Sequence, residues 1–398
     1  MKKTGFLIAS LAATLFASTA LADVAVKLGV LNDRSGVYSD LAGEGSVVAA
    51  QMAVDDYKAA EKGITVSIVS ADHQNKPDIA SNIARQLYDQ DGVDVILDVP
   101  TSSAALAVAE ITREKNKIFM NSGGGTSDLT GKACSPNTVH WTYDSWQLAH
   151  GTASAVVANG GKKWFFVTAD YAFGQAMERD ATEVVKAGGG EVVGSIRHPF
   201  PGTDFSSYLL QAQSSGAEVV AFANAGGDTI NSVKQASEFG LAQSGQQLAG
   251  LLVFANDVHS LGLETAQGLT LTESFYWDLN DGTREFAARF EEKMKKKPSM
   301  VQAGVYASVL HYLKAVEALG DKDATKVMAK MKETPTDDAL FGKGMIRADG
   351  RKIHQSYLFQ VKKPEESKGE WDLYNLVSTI PAEESFRPLD QGGCSLVQ

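Results

Sequence analysis

The chain holds few of the residue patterns that catalytic and nucleotide-binding proteins use. Each G-K pair is followed by a residue other than serine or threonine, which excludes a phosphate-binding P-loop. No G-x-S-x-G nucleophile elbow occurs, and none of the seven histidines stands four residues from another, which excludes an H-E-x-x-H zinc helix. Gly43 and Gly45 follow a predicted strand, but Val48 occupies the third glycine position of a dinucleotide fingerprint. The sequence therefore makes no positive case for an enzyme, a metal site or a cofactor.

Cysteine is scarce: the sequence has two, Cys134 and Cys394. An even number in an exported chain favours a disulfide. This bridge would tie the C-terminal tail to a loop near the end of the first third of the chain. Metal binding is the weaker alternative, because the two thiols have neither C-x-x-C spacing nor a nearby histidine pair.

The sequence also lacks a clustered basic face and any membrane-spanning run beyond its N-terminus. Lys2 and Lys3 precede an apolar stretch that is too short for a membrane anchor, and residues 20–22 form an A-x-A cleavage site before Asp23. Residues 1–22 are therefore predicted to be a secretory signal peptide, and the mature protein to be soluble and exported. Cleavage removes two lysines and no acids, taking the formal charge from −11 to −13. This acidity argues against nucleic acid as a partner.

Hydrophobic periodicity switches repeatedly between that of strands and that of helices. The mature chain exceeds the roughly 250–300 residues at which a single core stops growing, so two domains are expected. Two successive β-α series predict two similar α/β lobes with mostly parallel sheets flanked by helices. The predicted strands of these series are 24–32, 64–72, 93–100 and 117–124, then 163–170, 191–200, 217–225 and 247–256.

Polar, glycine-rich loops follow these predicted strands, at the edge where open α/β sheets bind ligands. Their hydroxyls and the backbone N–H groups at helix starts suit a carboxylate, and their aromatic rings suit an apolar body. Each candidate has an alternative: the serines and the aspartate cap the following helices, and the aromatic rings fill space. The side chains concerned are Tyr38, Ser102, Ser103, Tyr171, Phe173 and Asp257.

Several segments resemble the periplasmic solute-binding proteins of ABC importers, in the type I, branched-chain (Leu/Ile/Val) amino-acid group. Their order and spacing carry the resemblance more than any single motif does. The matching segments are "LGVLNDRSGVYSDLAGEG", "PTSSAALAVAEI" before "KIFMNSGGGTSDLTG", "VTADYAFGQA", "GVYASVLHYLKAVEALG" and "GMIRADGRKIHQSYLFQVKKP".

The resemblance implies two lobes joined by three hinge crossings, expected near Trp141–Asp144, Thr272–Tyr276 and Lys343–Arg347. Solute would bind in the cleft between the lobes. The implied division is residues 24–142 with 275–344 for lobe 1, residues 143–274 with 345–380 for lobe 2, and a tail, 381–398, clipped to lobe 1 by the disulfide.

The resemblance also implies roles for individual residues. A serine after the third strand and main-chain groups after the fourth would hold the ligand carboxylate, rings from both lobes would cover its body, and an acid would receive an amino group. The matching positions are Ser102 with Ser103 beside it, Gly124 to Thr126, Tyr38, Phe173 or Tyr171, and Asp257; Ala225 is expected to line the same pocket.

Two loops depart from the amino-acid binders. Gly124-Gly125 stands where these carry a hydroxyl-bearing threonine, and Asn224 to Asp228 stands where they carry a tyrosine pair. We interpret the missing side chains as room for a solute larger than leucine, such as an aromatic or longer carboxylic acid. Asp257 favours an ammonium group instead, because it would repel a simple carboxylate.

The sequence thus predicts a monomeric periplasmic protein that captures a small carboxylated solute, either a hydrophobic amino acid or an aromatic or organic acid. Hinge closure would trap the solute, and an ABC permease in the inner membrane would receive it. Two alternatives remain open: a ligand sensor that feeds a membrane receptor, and a secreted enzyme whose catalytic group assembles in the same cleft.

Overall fold

The computed structural model describes residues 24–397 of the chain. The predicted signal peptide, residues 1–22, lies outside the described residues. Within the described part, none of the helices is both long enough and apolar enough to cross a bilayer.

A parallel five-stranded sheet forms the centre of lobe 1, in the strand order β2-β1-β3-β4-β5. Strands β3 and β4 are buried on both faces, which explains why their sequences are continuous apolar runs. The predicted β-α alternation is confirmed here. The elements are β1 (Val24–Asn32), α1 (Gly43–Tyr57), β2 (Ile64–Asp72), α2 (Pro77–Asp89), β3 (Val95–Asp98), α3 (Ser102–Glu114), β4 (Ile118–Asn121) and β5 (Thr138–His140).

A parallel four-stranded sheet forms the centre of lobe 2, in the order β7-β6-β8-β9. Its first helical segment, predicted as one helix, contains a π-helical turn at Ala149–Ala153. The elements are α4 (Ser145–Leu148), α5 (Ser154–Ala158), β6 (Lys163–Ala169), α6 (Ala172–Ala187), β7 (Glu191–His198), α7 (Ser206–Ser214), β8 (Val219–Ala223), α8 (Gly227–Glu238), β9 (Gln247–Gly250), α9 (Ala255–Leu261) and α10 (Leu263–Ala266).

The last third of the chain is shared between the lobes. Helix α12 is buried on nearly all sides in the lobe 1 core, beside a small antiparallel sheet β11-β12-β13, whereas the antiparallel sheet β10-β14-β15 packs on lobe 2. The elements are β10 (Thr270–Glu273), α11 (Asp281–Met294), α12 (Met300–Leu319), α13 (Ala324–Glu333), β11 (Thr336–Asp338), β12 (Gly342–Ile346), β13 (Lys352–Ile353), β14 (Ser356–Val361), β15 (Tyr374–Ile380) and α14 (Ala382–Ser385).

Local sequence explains where the main helices begin. Pro77 occupies the first turn of α2, where its missing N–H costs nothing. At α12, the Ser299 hydroxyl accepts from the N–H of Gln302, and the Gln302 side chain accepts from the N–H of Ser299. Asp144 caps α4 by accepting from the N–H of Gln147 at 2.9 Å. These caps satisfy donors that the helices leave unpaired.

The chain passes between the lobes at three places, and one of them differs from the expectation. Residues 141–144 and the segment after β10 lie where crossings were expected. The third expected crossing, Lys343–Arg347, is wrong, because these residues lie in β12 and the turn that follows it. There, Ile346 pairs with Lys352 within the small antiparallel sheet β11-β12-β13 of lobe 1. The chain leaves that sheet only after Ile353. A hairpin pattern predicts pairing well, but it does not show where the second strand changes sheet.

The predicted disulfide is confirmed. Cys134 and Cys394 are joined across a sequence separation of 260 residues, with their Cα atoms 5.6 Å apart. The bridge ties the tail to the loop that follows β4.

Gly174 gives a test of the packing between β6 and α6. A Cβ atom there would lie 2.1 Å from the carbonyl oxygen of Ala169, a backbone atom that cannot move aside. We expect Gly174→Ala to lower the free energy of unfolding by about 3 kcal/mol, as overpacked cores do. Urea denaturation measures the change. Gly369→Ala, where a Cβ atom meets nothing within 4 Å, is the matched control, and equal stability of the two variants would contradict this view of the packing.

Candidate functional site

A turn after β1 places Tyr38 between the lobes. The Asp33 carboxylate accepts hydrogen bonds from the N–H groups of Gly36 at 2.7 Å and Tyr38 at 2.8 Å, which closes the turn on itself. A Cβ atom at position 36 would lie 2.8 Å from an Asp33 oxygen, so the turn requires glycine there. Sequence reasoning missed the role of Asp33, although an aspartate three residues before a glycine is a usual turn signal.

The turn after β3 is strained. Asp98 and Val99 have φ values of +80° and +56°, a region that is costly for a β-branched residue such as Val99. The reversal directs Pro100 towards lobe 2 and starts α3 two residues later. Aspartate adopts positive φ more often than most residues, so Asp98 is a weak signal, but nothing in the sequence indicates this conformation for Val99.

The two lobes meet around a cavity of about 10 Å³, which is room for about one water molecule. Lobe 1 and the first crossing supply part of its wall, and the loops after β6, β8 and β9 supply the rest. Tyr38, Tyr171, Phe173 and Ala225 line it as expected residues of the site. Gly125, inside the expected range Gly124 to Thr126, also lines it, and the structure adds six residues that sequence reasoning did not choose: Leu41, Pro100, Gly123, Tyr143, Leu252 and Phe254.

Some of the added residues had a signal in the sequence. Gly123 lies in the glycine-rich loop after β4, and Phe254 precedes Asp257 by three residues. Tyr143 was assigned to a hinge crossing and not to the wall. Leu252 gave no signal, because an apolar residue at the end of a buried strand is ordinary core.

Glycine makes room for aromatic rings in this cavity. A Cβ atom on Gly125 would lie 2.9 Å from ring atoms of both Phe173 and Tyr143, and one on Gly226 would lie 2.9 Å from the Tyr38 ring. The space that the glycines leave is therefore filled by protein. The expectation of a pocket larger than leucine needs stays a prediction, because the cavity of this closed conformation is smaller than either solute.

The predicted carboxylate-binding groups bond to the protein in this conformation. Ser102 Oγ accepts from the N–H of Thr126 at 3.1 Å, and Ser103 Oγ accepts from the N–H of Ala172 in lobe 2 at 3.3 Å. The N–H of Gly124 donates to Asn121 Oδ1, and Asn121 Nδ2 donates to the carbonyl of Gly124. Their role towards a ligand stays a prediction, and the structure places them beside the cavity wall and not among its lining residues.

The mouth of the cleft is closed by contacts between the lobes. The hydroxyls of Tyr38 and Tyr171 share a hydrogen bond, and the N–H of Gly227 donates to the carbonyl of Val37 at 3.2 Å. The Phe200 ring of lobe 2 has its centroid 5.5 Å from that of Tyr38 in lobe 1, and it stacks on Tyr171 of its own lobe at 4.2 Å. Burial, the largest cause, raises the pKa of both tyrosines, so both hydroxyls stay protonated and able to donate.

Asp257 caps its own helix. Its Oδ2 accepts from the N–H of Phe254 at 3.0 Å, and burial raises its pKa to about 7. It lies behind the wall that Phe254 forms and is not among the lining residues. This geometry corresponds to the capping alternative, and binding of an amino group by Asp257 stays a prediction.

Asp228 is a second buried acid near the cleft, and sequence reasoning did not choose it. Its Oδ1 accepts from the N–H of Gly202 at 3.0 Å, while no group in residues 24–397 donates to its Oδ2. His198 lies 3.9 Å from Oδ2, but burial lowers the pKa of this histidine, so it stays neutral at pH 7. Burial in turn raises the pKa of Asp228 to about 7.

The cavity therefore has aromatic walls and no cationic side chain. No lysine, arginine or histidine is found among its lining residues, as far as residues 24–397 are concerned. The same part of the chain contains no group of three or more His, Cys, Asp and Glu side chains arranged to hold a metal ion. Any anion in the cavity would depend on neutral donors, which are the tyrosine hydroxyls and backbone N–H groups.

Two α/β lobes that enclose a small cavity at the carboxyl ends of their strands define a two-lobed solute-binding protein. The chain belongs to the periplasmic binding protein family, whose model matches residues 25–370. Members of this family and the solved neighbours are binding proteins and not enzymes.

The similarity to known proteins extends over nearly the whole chain. A periplasmic binding protein from Burkholderia mallei is 50% identical with a TM-score of 0.92, and covers 94% of this chain and 100% of its own. A branched chain amino acid ABC transporter periplasmic ligand-binding protein from Burkholderia xenovorans is 42% identical with a TM-score of 0.83 and the same coverage. The Leu/Ile/Val-binding protein homolog 6 of Brucella melitensis is 31% identical over 331 residues, 80% of this chain and 83% of its own.

The raised pKa of Asp228 makes a prediction about stability. An ionised, unpaired carboxylate destabilises the folded state, and Asp228 ionises near pH 7 when folded but near its ordinary value of 3.8 when unfolded. The stability advantage of Asp228→Asn over the wild type should therefore grow between about pH 4 and 7 and stay constant above, by up to about 4 kcal/mol. Urea denaturation across this pH range measures it. Asp55→Asn, at an exposed position of α1, is the control, and a pH-independent difference for Asp228→Asn would contradict the prediction.

Proposed function

We propose that this protein is the periplasmic solute-binding component of an ABC importer, and that it traps a small, largely apolar carboxylic acid between its lobes. The observation that carries the proposal is the aromatic cavity closed by both lobes, with its mouth bonded across at Tyr38 and Tyr171. A ligand in this place contacts both lobes at once. It therefore stabilises the closed state relative to the open one.

The lining supports a flat, apolar solute body. Five aromatic rings surround the cavity together with leucine, proline and alanine side chains, and the hydroxyls of the tyrosines supply polar points. The rings belong to Tyr38, Tyr143, Tyr171, Phe173 and Phe254. Such rings favour a planar hydrocarbon by offset stacking and edge contacts. An aromatic monocarboxylic acid fits this chemistry best.

The carboxylate would meet backbone N–H groups. The loop at Gly123–Gly125 and the start of α3 at Ser102 would face the solute from lobe 1. The Ser103 hydroxyl, which accepts from Ala172 of lobe 2, becomes available when the lobes move apart, whereas Ser102 Oγ accepts from Thr126 within lobe 1. A helix N-terminus stabilises negative charge through its dipole and unpaired N–H groups. This arrangement needs no cationic side chain.

A hydrophobic amino acid is the second candidate solute. The relatives from Burkholderia xenovorans and Brucella melitensis have names that refer to branched-chain amino acids. An ammonium group would need an acidic partner, and the buried carboxylates of Asp228 and Asp257 lie just behind the cleft wall. In this conformation neither faces the cavity as a lining residue, so the aromatic acid is favoured.

Export and delivery complete the proposal. Residues 1–22 have the pattern of a cleaved signal peptide, so the mature protein would act as a monomer in the periplasm. An inner-membrane permease would receive the solute from the closed form. The same cleft would serve a periplasmic ligand sensor, and genes for permease and ATPase subunits beside this one would favour transport.

A thermal-shift screen tests the solute class. The purified mature protein is heated with benzoate and phenylacetate, with leucine, isoleucine and valine, with short aliphatic acids, and with urea-like amides. We expect aromatic acids to raise the melting temperature most, because a ligand that binds only the folded state stabilises it by mass action. Stabilisation by leucine or valine and by no aromatic acid would make the aromatic proposal wrong. Turnover of a stabilising solute would favour an enzyme.

Tyr38→Phe locates the binding site. The variant keeps the ring that lines the cavity but removes the hydroxyl that bonds to Tyr171 across the mouth. We expect the affinity for the solute found in the screen to fall by about fivefold, since a net hydrogen bond contributes about 1 kcal/mol. Isothermal titration calorimetry measures it. Tyr88→Phe, which removes a buried hydroxyl bonded to Thr112 far from the cleft, should lower stability and leave affinity unchanged. An unchanged affinity in Tyr38→Phe would show that the bond between the Tyr38 and Tyr171 hydroxyls does not contribute to solute binding.

A further inference from the structure

The C-terminal tail runs from one lobe to the other. It leaves β15 on lobe 2 at Ile380, and the hydroxyl of Ser385 bonds to that of Ser356 in β14 at 2.8 Å. It ends at the disulfide from Cys394 to Cys134, in the lobe 1 loop after β4. The tail is therefore attached covalently to both lobes.

The three main-chain crossings meet at one atom. The carbonyl oxygen of Thr142, in the first crossing, accepts from Ser274 Oγ of the second at 3.1 Å and from Arg351 Nη2 at 2.7 Å. His354 Nε2, where the chain crosses for the third time, lies 2.8 Å from the same oxygen. We name this arrangement the hinge knot: Thr142, Ser274, Arg351 and His354. Movement of either lobe must rotate the chain around it.

The tail packs directly on the hinge knot. The guanidinium carbon of Arg351 lies 4.0 Å from the centre of the Phe386 ring, and the centre of the His354 ring lies 5.1 Å from the same point. Arg351 is fully buried, and its charge is otherwise met by Asp144 at 3.6 Å and by main-chain carbonyls. The face of an aromatic ring stabilises such a desolvated cation. Phe386 therefore holds Arg351 in its place.

The next residue, Arg387, attaches the tail to lobe 1. The carbonyl of Arg387 accepts from Arg347 Nη1 at 2.8 Å, and Arg387 Nη2 donates to the carbonyl of Ser127 at 3.3 Å. Ser127 follows Thr126, whose N–H is held by Ser102 at the cleft wall. The tail thus contacts the hinge on one side and the loop behind the cavity on the other.

We propose that residues 381–394 form a fourth crossing of the hinge, closed by the disulfide in place of the main chain, and that this crossing sets the affinity of the cleft. Phe386 is a positioning residue that acts through Arg351. The tail restricts the opening of the lobes, so a larger fraction of the ligand-free protein is near the closed state. Apparent affinity rises with that fraction. The proposal rests on the proposed function for its effect on affinity, but not for its effect on the shape of the free protein.

Two variants of the mature, full-length protein test the proposal. Cys134→Ala with Cys394→Ala releases the tether, and Phe386→Leu keeps the tether but removes the ring from Arg351. Small-angle X-ray scattering without ligand gives the radius of gyration, and calorimetry gives the affinity for the solute found in the screen. We expect a larger radius of gyration and an affinity lower by about threefold to tenfold in both variants. Reduction of the wild type by dithiothreitol should reproduce the first variant.

Phe359→Leu is the matched control, because it makes the same substitution at a buried ring in β14, away from the hinge knot. It should lower stability with no change in the radius of gyration or affinity. If both tail variants lose stability and keep the wild-type radius of gyration, the tail is a staple of the fold and the proposal is overturned. Scattering decides this even if the screen finds no solute, so the failure of the proposed function is recognised separately.

Discussion

The arrangement of the lobes depends on the hydrogen bonds that converge on the carbonyl oxygen of Thr142. A carbonyl oxygen has two lone pairs, yet groups from both other crossings approach this one, and one of them is the buried cation of Arg351. A buried charge is tolerated only where it is paired and bonded. The carbonyl of Tyr143, the carboxylate of Asp144 and the ring of Phe386 meet these needs. The hinge is consequently a polar, well-packed point and not a loose linker, and every pair of crossings is coupled through it.

In the cleft, aromatic rings occupy the space that neighbouring glycines leave. Rings of the opposite lobe or the hinge lie 2.9 Å from where a Cβ atom on Gly125 or Gly226 would stand, so the rings occupy the space that these glycines leave. Hydroxyl and main-chain bonds then close the mouth at Tyr38 and Gly227. The acids near the cleft, Asp228 and Asp257, bond to backbone N–H groups of their own lobe. The resulting site is apolar inside and polar at its edge, which is the distribution that selects a small acid with an apolar body.

Much of the architecture follows from local patterns. The fully buried strands β3 and β4, the helix starts at Pro77 and Ser299, and the β-α alternation are all readable, because each depends on residues near in sequence. The aromatic candidates Tyr38, Tyr171 and Phe173 do line the cavity. The crossing at β12 was misplaced, since a hairpin pattern is the same whether or not its second strand later changes sheet. The size of the pocket around a solute stays a prediction, since aromatic rings occupy the space beside the glycines in the closed conformation.

What local sequence established is the class of fold, the disulfide and the loops from which a binding site is built. Periodicity and turn residues report on neighbouring residues, and a chain with only two cysteines allows only one disulfide however far apart they stand. Which groups face the cavity was decided by tertiary structure, as the positive φ of Val99, the wall position of Tyr143 and the bond between Tyr38 and Tyr171 show. The path of the tail over Arg351 was decided in the same way. The bond between Tyr38 and Tyr171 joins residues of different lobes 133 positions apart, and it exists only once both sheets have formed and the lobes have come together.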